Sequence, residues 1–318
     1  MSEVAQQRSW RSARPVHLVA TLVGFRRGGA DPTFRLTAGG SVVRGIRTPA
    51  GPATIELDCA PKESEISARA WGSGAGWAVE HAPDLIGESD DPGGFVPLHP
   101  PVAQAARRFS GWRVPRSGLV LDALVPAIIE QKVTGREAFG GYQHLVRRFG
   151  ERAPGPWGEA GLLVPPDVAG WRAIPSWEWL GAGVDGARSG TIQRVCRVAD
   201  SLERLADGRP GDAARAGLRS VPGVGVWTAA EVAQRALGDA DAVSFGDYHV
   251  ARNIGWALIG EELDDDGLAD LLAPYAGHRF RVQRLLELAG HQRPRRGARM
   301  APRTHLPRVG GRASPGTR

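Results

Sequence analysis

The segment "SVPGVGVWTAAEV", residues 220–232, joins a proline and two closely spaced glycines directly to an apolar run. The preceding stretch "GDAARAGLRSV", residues 211–221, and the run that follows both space their apolar residues as helices do. Gly223 and Gly225 permit a positive φ and the close approach of a second backbone. The segment therefore predicts a hairpin of two helices joined by the turn "PGVG".

Such a hairpin predicts an anion site made of backbone. The first N–H groups of a helix lack intrahelical partners, and the helix dipole places positive charge beside them. No lysine or arginine lies in residues 222–228, so the backbone itself would hold a phosphate, without regard to DNA sequence. The alternative is an ordinary helical hairpin with glycines at its corner. The predicted DNA contacts are Pro222, Gly223, Val224, Gly225 and Thr228.

The charge of the chain is concentrated at its C-terminal end. The 318 residues carry a net charge of +6, and residues 291–318 hold arginines but no acidic residue. The remainder of the chain is therefore close to neutral. A tail rich in Arg, Pro and Gly is typical of disordered segments and suits contact with phosphates. The alternative is a solvated tail without a role.

The length favours two domains, and the patterns divide the chain into four parts. Strand-like patterns such as "HLVATLV", residues 17–23, and "ATIELDC", residues 53–59, occur before residue 95, and helical spacing dominates after residue 118. The predicted fold class is α+β, with an antiparallel β-rich domain followed by a mainly helical one. The predicted parts are a flexible N-terminus, a β-rich domain, a helical domain and a disordered basic tail: 1–15, 16–95, 96–290 and 291–318.

Several classes of protein are excluded by composition. Cys59 and Cys196 are the two cysteines and lie far apart, which excludes a disulfide framework, a zinc site or a four-cysteine cluster. No run of 18 apolar residues and no signal peptide occur, so we expect a cytoplasmic protein without a membrane span. No pattern indicates a cofactor or a metal site, and we expect a monomer.

A second motif lies downstream of the hairpin. The full hairpin pattern runs from Leu218 to Ala229, and Asp247 follows Trp227 by twenty residues within "VSFGDYHVARNIGWAL", residues 243–258. This combination resembles the helix–hairpin–helix base-excision DNA glycosylases, and among them bacterial 3-methyladenine DNA glycosylase II. The resemblance is specific over residues 95–290 and weaker over residues 16–95. It implies a cleft in the helical domain that holds an extruded base.

The resemblance assigns chemistry to Asp247 and Trp227. Asp247 matches the family's catalytic aspartate, whose carboxylate stabilises positive charge that develops on the deoxyribose. Its alternative role is to cap the helix that follows. Trp227 stands where bifunctional relatives have a nucleophilic lysine, so water is the expected nucleophile. Its electron-rich ring suits a cationic alkylated purine, although Trp227 could also be a plain core residue. Tyr248 is the second predicted residue of the base pocket.

The segment "EQKVTG", residues 130–135, supplies further predicted DNA contacts. Gln131 and Thr134 match polar positions that the family has at its DNA face. Lys132 stands where relatives have an apolar wedge that fills the gap left by the extruded nucleotide, so either Lys132 or Val133 is the expected wedge. Arg188, in "GARSGTIQ", is a further predicted contact with the DNA backbone.

The sequence thus predicts a monofunctional DNA glycosylase that removes alkylated purines from double-stranded DNA containing damaged bases. One alternative is a non-catalytic helix–hairpin–helix module that senses lesions. The other is a glycosylase for a different damaged base, deaminated or oxidised.

Overall fold

The computed structural model describes residues 5–60 and 65–294 of the chain. Its N-terminal part is built on a five-stranded antiparallel sheet with the strand order β1-β5-β4-β3-β2. The strands are β1 Gln6–Arg11, β2 Phe34–Leu36, β3 Val42–Thr48, β4 Gly51–Ala60 and β5 Glu65–Trp71. This sheet confirms the predicted α+β class.

One face of the sheet is covered by two helices, α1 Leu18–Leu22 and α2 Ala75–Leu85. Strand β5 alternates strictly, so that Ile66, Ala68 and Ala70 point into this core while the intervening side chains point outward. This alternation is typical of a strand with one buried face. The result is a separate apolar core for the N-terminal part of the molecule.

Two expectations for the N-terminal part are wrong. The segment "HLVATLV" forms α1 and a short 3₁₀ turn, Val23–Phe25, instead of a strand. His17 begins that helix, because its Nδ1 accepts a hydrogen bond from the Ala20 N–H at 3.3 Å. The segment predicted to be flexible contains β1, which pairs along its whole length with β5 as the edge of the sheet.

The rest of the described chain is mainly helical, as predicted. A two-stranded ladder, β6 Glu151–Arg152 with β7 Leu163–Val164, interrupts the helices. The helices are α3 Pro100–Arg108, α4 Val120–Ile129, α5 Gly135–Phe149, α6 Pro156–Glu159, α7 Val168–Ala173, α8 Ser176–Gly181, α9 Gly186–Arg197, α10 Ala199–Glu203, α11 Asp212–Arg219, α12 Val226–Val232, α13 Val250–Ile259, α14 Asp265–Leu272 and α15 Arg279–Leu288. A π-helical turn, Ala233–Leu237, continues α12.

The helices form two apolar clusters of their own, and a third cluster joins α3 and α15 to α1. The larger is organised around α4, whose Leu124 and Ile128 pack with residues of α5, α9, α11 and α12. The smaller joins α3, α13, α14 and α15, with Leu268 and Val282 fully buried. Helix α12 belongs to the first cluster and α13 to the second, and the loop between them carries Asp247. The cavity beside Asp247 also has Trp112 and Phe280 in its walls, and these two residues belong to the third cluster.

Ion pairs join the N-terminal part of the molecule to the helices. Arg44 on β3 reaches Asp122 on α4 at 2.7 Å, and both side chains are nearly inaccessible to solvent. Arg27, in the loop after α1, lies 3.1 Å from Glu130 at the end of α4. The exact boundary predicted near residue 95 stays a prediction. The predicted basic tail lies outside the described residues from residue 295 onward. Among the helices described, none has the length and apolar character needed to cross a membrane.

Candidate active site

The predicted hairpin is formed by α11 and α12, joined by residues 220–225. Gly223 has a φ of +98°, and a Cβ at this position would lie 2.3 Å from the Thr191 hydroxyl oxygen. Only glycine meets both constraints. Gly225 differs from expectation, because its φ of −90° is open to any residue and a Cβ there would meet no atom within 4 Å. The surface outside Gly225 is therefore free for another molecule's backbone.

The hairpin exposes backbone and buries its apolar side chain. Pro222, Gly223 and Gly225 are exposed, whereas Val224 is only 5% exposed and anchors the turn in the core. Within the described residues, the N–H groups of residues 226–228 have no acceptor, and the first helical hydrogen bond of α12 is donated by Ala229. These unpaired N–H groups have the properties of a phosphate site.

One arginine that the sequence analysis missed lies beside this turn. Arg194 on α9 donates from Nε to the Pro222 carbonyl at 2.8 Å and from Nη2 to the Thr191 hydroxyl at 2.8 Å. It therefore adds a fixed positive charge to a turn that has none of its own. No local sequence signal indicated this, because Arg194 lies 28 residues before Pro222.

Gln131 connects the end of α4 to the hairpin. Its Nε2 donates to the Gly223 carbonyl at 3.0 Å and to the Thr228 hydroxyl at 2.8 Å. Thr228 is only 2% exposed and its hydroxyl accepts this internal bond, so a contact with DNA would use its backbone N–H; the predicted contact stays a prediction. Gln131 holds the turn in its conformation.

Thr134 has a capping role that accounts for its hydroxyl. It begins α5 in a reciprocal capping box, in which the Glu137 N–H donates to Thr134 Oγ1 and Thr134 donates to the Glu137 carboxylate at 2.7 Å. Contact of this hydroxyl with DNA stays a prediction.

Lys132 is the one residue other than glycine with a positive φ, 55°, in the described part of the chain. This left-handed conformation costs about 1–2 kcal/mol for a residue with a Cβ. The Lys132 side chain is exposed beside Gln131, while Val133 is partly buried against the large helical core. Strain of this kind occurs at functional sites when the surroundings fix it.

Arg188 does not reach the surface. It is 4% exposed, and its guanidinium donates to the Ile129 and Gly183 carbonyls at 2.7 Å each. It also pairs with Asp185 at 3.2 Å. Arg188 therefore satisfies one carbonyl at the end of α4 and one just after α8, and its buried side chain does not support the predicted DNA contact. The sequence did not show that α9 begins against the end of α4.

Asp247 is held by three N–H donors. Its Oδ1 accepts from the backbone of His249 at 2.7 Å and of Val250 at 3.2 Å, and its Oδ2 accepts from the Trp227 indole at 3.3 Å. Gly246 turns the loop with a φ of +88° and donates its N–H to Asp265 at 2.7 Å. Asp247 thus caps the start of α13 and also faces Trp227, so the two roles considered for it coexist.

Asp247 and Trp227 line one cavity of about 210 Å³. Its walls include four aromatic side chains from four different segments: Phe25, Trp112, Trp227 and Phe280. Tyr248 does not line it. The Tyr248 ring is 63% exposed and lies under the Arg252 guanidinium, 4.4 Å from the ring centre. The prediction that Tyr248 belongs to the pocket is therefore wrong: its side chain projects outward from the start of α13.

The cavity also contains charged side chains that the sequence analysis missed. They are Glu130, Glu231, Arg235, Arg284 and Glu287. Trp227, Glu231 and Arg235 follow one another at four-residue spacing. Residues spaced in this way share one face of a helix, so the position of Trp227 in a pocket could have predicted that Glu231 and Arg235 line it too. Glu130, Arg284 and Glu287 come from other helices, and no local spacing relates them to Trp227.

The two buried glutamates of this cavity have opposite pKa shifts. Burial tends to raise the pKa of Glu231, but the Arg235 guanidinium and a 2.6 Å hydrogen bond from Ser244 outweigh it and lower this pKa. Burial raises the pKa of Glu130, and the nearby Glu231 and Asp247 add to the rise, against the opposing charges of Arg27 and Arg235. The cavity therefore contains one carboxyl held as an anion and one that retains its proton to a higher pH than usual.

The acidic cluster at residues 264–266 has a structural explanation. Asp264 Oδ1 accepts from the Gly267 N–H at 2.9 Å and caps α14. Asp265 accepts the Gly246 N–H and so fixes the loop before Asp247. The cluster is thus explained by hydrogen bonds within the described residues.

No family model matches the chain, and no curated protein matches its sequence. Solved structures do match its fold. 3-Methyladenine DNA glycosylase from Archaeoglobus fulgidus has a TM-score of 0.70 at 18% identity, covering 89% of this chain and 98% of its own. The apo form of Clostridium acetobutylicum 8-oxoguanine glycosylase/lyase has a TM-score of 0.66 at 11% identity, covering 90% and 98%.

The same Clostridium enzyme, solved with double-stranded DNA containing cytosine opposite 8-oxoguanine, has a TM-score of 0.64 at 10% identity, covering 91% of this chain and 99% of its own. At these identities the likeness concerns the fold. The chain has the fold of these DNA glycosylases, and the predicted resemblance to helix–hairpin–helix glycosylases is confirmed at that level.

Proposed function

We propose that the protein is a monofunctional DNA glycosylase that hydrolyses the N-glycosidic bond of alkylated purines in double-stranded DNA. The observation that carries the proposal is the hydrogen bond between Trp227 and Asp247 in the wall of one cavity. The fold supports the class of reaction, because its solved neighbours are DNA glycosylases, and one of them is bound to damaged duplex DNA.

DNA binding begins at the hairpin. The unpaired N–H groups at the start of α12 bind a phosphate, and Arg194 adds charge beside it. The contact positions the DNA backbone without reading its sequence. The strained Lys132, exposed beside Gln131, fills the gap that the extruded nucleotide leaves. Lys132 is favoured over Val133 as the wedge, because Val133 packs against the core.

The extruded base enters the cavity and stacks on Trp227. An alkylated purine with a formal positive charge is attracted to the electron-rich indole face. Cleavage of the bond from C1′ to the base nitrogen leaves positive charge on the sugar, and the Asp247 carboxylate stabilises it. Water then adds to C1′ and releases one proton to solvent, and Asp247 orients that water.

Water is the nucleophile because no lysine is among the described residues that line the cavity. The chain has two lysines, Lys62 and Lys132, and neither is among the described residues that line the cavity. A lyase reaction requires an amine that attacks the sugar carbon. The purely binding alternative is disfavoured by a carboxylate fixed by three N–H donors inside a cavity, an arrangement that phosphate binding at the hairpin does not require.

Replacing Asp247 with Asn tests the proposal. The amide keeps the shape but loses the charge that stabilises the transition state, so excision should fall by about 10²–10³-fold. The measurement is the rate of formation of alkali-labile abasic sites in methylated duplex DNA. Asp200→Asn, at an exposed position on α10, is the matched control and should leave the rate unchanged. Equal rates for wild type and the Asp247 variant would refute the proposal.

A further inference from the structure

Ser244 is a buried residue, three positions before Asp247, that the mechanism above leaves unused. It lies in the loop between the π turn after α12 and the start of α13, and it is only 1% exposed. Its backbone carbonyl accepts the Asp247 N–H at 3.2 Å, so the two residues close a tight turn of the loop. A displacement of Ser244 would therefore move the backbone of Asp247.

The hydroxyl of Ser244 uses every hydrogen bond that it can make. A serine hydroxyl has one proton to donate and two lone pairs that accept. Ser244 Oγ donates to the Glu231 carboxylate at 2.6 Å, and it accepts from Gln234 Nε2 at 2.8 Å and from Gln283 Nε2 at 3.1 Å. The direction of donation is fixed, because a carboxylate paired with Arg235 at 2.8 Å can only accept.

Gln283 holds Ser244 by two groups at once. Its Nε2 donates to the hydroxyl, and its Oε1 accepts the Ser244 backbone N–H at 3.1 Å. Gln234 donates a further bond to the Ala242 carbonyl, two residues earlier in the same loop, at 2.7 Å. Both glutamines are no more than 3% exposed, and hydrogen bonds are stronger in such an interior than in water. The loop before Asp247 is therefore attached to α15 and to the π turn.

The same bonds set the distance between this loop and the helix that carries Trp227. Glu231 lies one helical turn after Trp227 on α12, so the Ser244 hydroxyl ties the loop to that helix. The 3.3 Å hydrogen bond between Trp227 and Asp247 spans the same gap. Ser244 is not among the described residues that line the cavity, so it can influence the reaction only through other groups.

We propose that Ser244 is a positioning residue, whose hydroxyl fixes the loop so that the Asp247 carboxylate stands at the reacting sugar. The inference rests on the proposed glycosylase function. A misplacement of a catalytic group by about 1 Å can cost about 10²-fold in rate. Loss of the hydroxyl leaves one buried carboxylate and two buried amides with one hydrogen bond fewer each, and such a deficit favours rearrangement of the loop.

Ser244→Ala tests the proposal in single-turnover reactions with methylated duplex DNA. The rate of excision should fall about 10–10²-fold, because Asp247 is misplaced. The affinity for undamaged duplex DNA should stay unchanged, because no hydrogen bond joins Ser244 to the hairpin in the described part of the chain.

Ser12→Ala is the matched control. Ser12 is also buried, and its hydroxyl also bonds a charged side chain, Arg113 Nη2, at 2.6 Å. It lies in the N-terminal part of the molecule, outside the cavity. Ser12→Ala should therefore lower the melting temperature, as Ser244→Ala does, and leave the rate of excision unchanged.

A double-mutant cycle with Asp247→Asn separates positioning from general structural damage. If Ser244 acts through the Asp247 carboxylate, then Ser244→Ala should lower the rate of Asp247→Asn by no more than about twofold, because the charge to be positioned is already gone. Independent effects would multiply instead. Ser244→Cys keeps a weak donor and acceptor at this position, so it should lose less rate than Ser244→Ala. It replaces Ser244→Ala in the cycle if that variant unfolds.

Three outcomes would overturn the inference. The first is a wild-type rate of excision in folded Ser244→Ala. The second is a loss that resides in DNA affinity and not in the single-turnover rate. The third is a loss of full size when Ser244→Ala is added to Asp247→Asn. Wild-type protein that excises no methylated base would refute the proposed function itself, and this result is distinct from all three.

Discussion

The hairpin and the cavity are two parts of one site built on different principles. The hairpin presents backbone, with no charged side chain in residues 222–228, and its shape depends on a single left-handed glycine. The cavity presents side chains from separate segments, with aromatic rings and buried charges side by side. A backbone site needs a short local sequence, whereas a side-chain site needs distant segments to meet. This difference explains why the hairpin could be predicted from the sequence and the lining of the cavity could not.

The largest effect on stability is expected inside the cavity. Glu231→Gln removes one partner of the buried pair with Arg235, at 2.8 Å, and leaves that guanidinium without its carboxylate. Breaking a buried pair from one side costs about 3–5 kcal/mol. Urea unfolding measures the loss. Glu178→Gln, at a more exposed pair, should cost no more than about 1 kcal/mol.

The same residue gives a pH dependence with a definite sign. Because the folded-state pKa of Glu231 is lowered, its contribution to stability is present above its unfolded pKa. That contribution is lost as pH falls through the folded-state pKa. The unfolding free energy of wild type should therefore decrease in acid more steeply than that of Glu231→Gln. Parallel curves for the two proteins would contradict the assignment.

The hairpin can be tested by a matched pair of glycine substitutions. Gly223→Ala places a Cβ in a left-handed residue and against Thr191, so it should destabilise the fold by at least about 1–2 kcal/mol and weaken DNA binding. Gly225→Ala meets no strain and no neighbour, so the fold should keep its stability. Its methyl group would stand on the surface proposed to face a phosphate, so binding should still weaken.

Thermal unfolding and fluorescence anisotropy with duplex DNA measure the two effects. Equal DNA affinity for wild type and Gly225→Ala would show that no strand approaches the turn. Such a result would mean that the hairpin and the cavity are not two parts of one site, because the hairpin would then be a structural element only.

The smallest effect is expected at Arg194, whose charge lies beside the backbone site. Arg194→Gln should reduce the slope of log affinity against log salt by about one and leave the rate on saturated enzyme unchanged. Titrations over a series of salt concentrations test this. Arg172→Gln, an exposed arginine on α7, is the control. An unaltered slope would remove Arg194 from the phosphate contact.

The fold was predictable where local pattern and tertiary use agree. The strand over residues 53–59 and the helices after residue 118 follow their periodicities. The strand predicted over residues 17–23 was wrong, because the periodicity of a short apolar run does not distinguish a buried helix from a strand. Strand β1 was missed for a related reason: its pattern is polar and exposed, and it becomes a strand only because β5 offers an open edge.

The residues of the site likewise divide into those that the sequence predicted and those that it did not. The spacing between Trp227 and Asp247 led to a pair that is hydrogen-bonded in the structure. Arg188 was assigned to DNA and Tyr248 to the base pocket because of their residue types. In the structure Arg188 is buried, and Tyr248 is exposed outside the cavity. Glu130 stood next to Gln131 in a segment already singled out, but nothing local showed that it faces the cavity.

The sequence by itself determined the hairpin, its glycine corner and the distance to Asp247, because turns and helix starts depend on residues within a few positions of one another. Only the tertiary structure decided which charges share the cavity. The electrostatic environment of Glu130 is set by four charged residues, Arg27, Arg235, Glu231 and Asp247. Each lies between 101 and 117 residues from Glu130 along the chain, so only folding brings them together. Burial and charge–charge distance are properties of packed helices, and they fix which carboxyl keeps its proton.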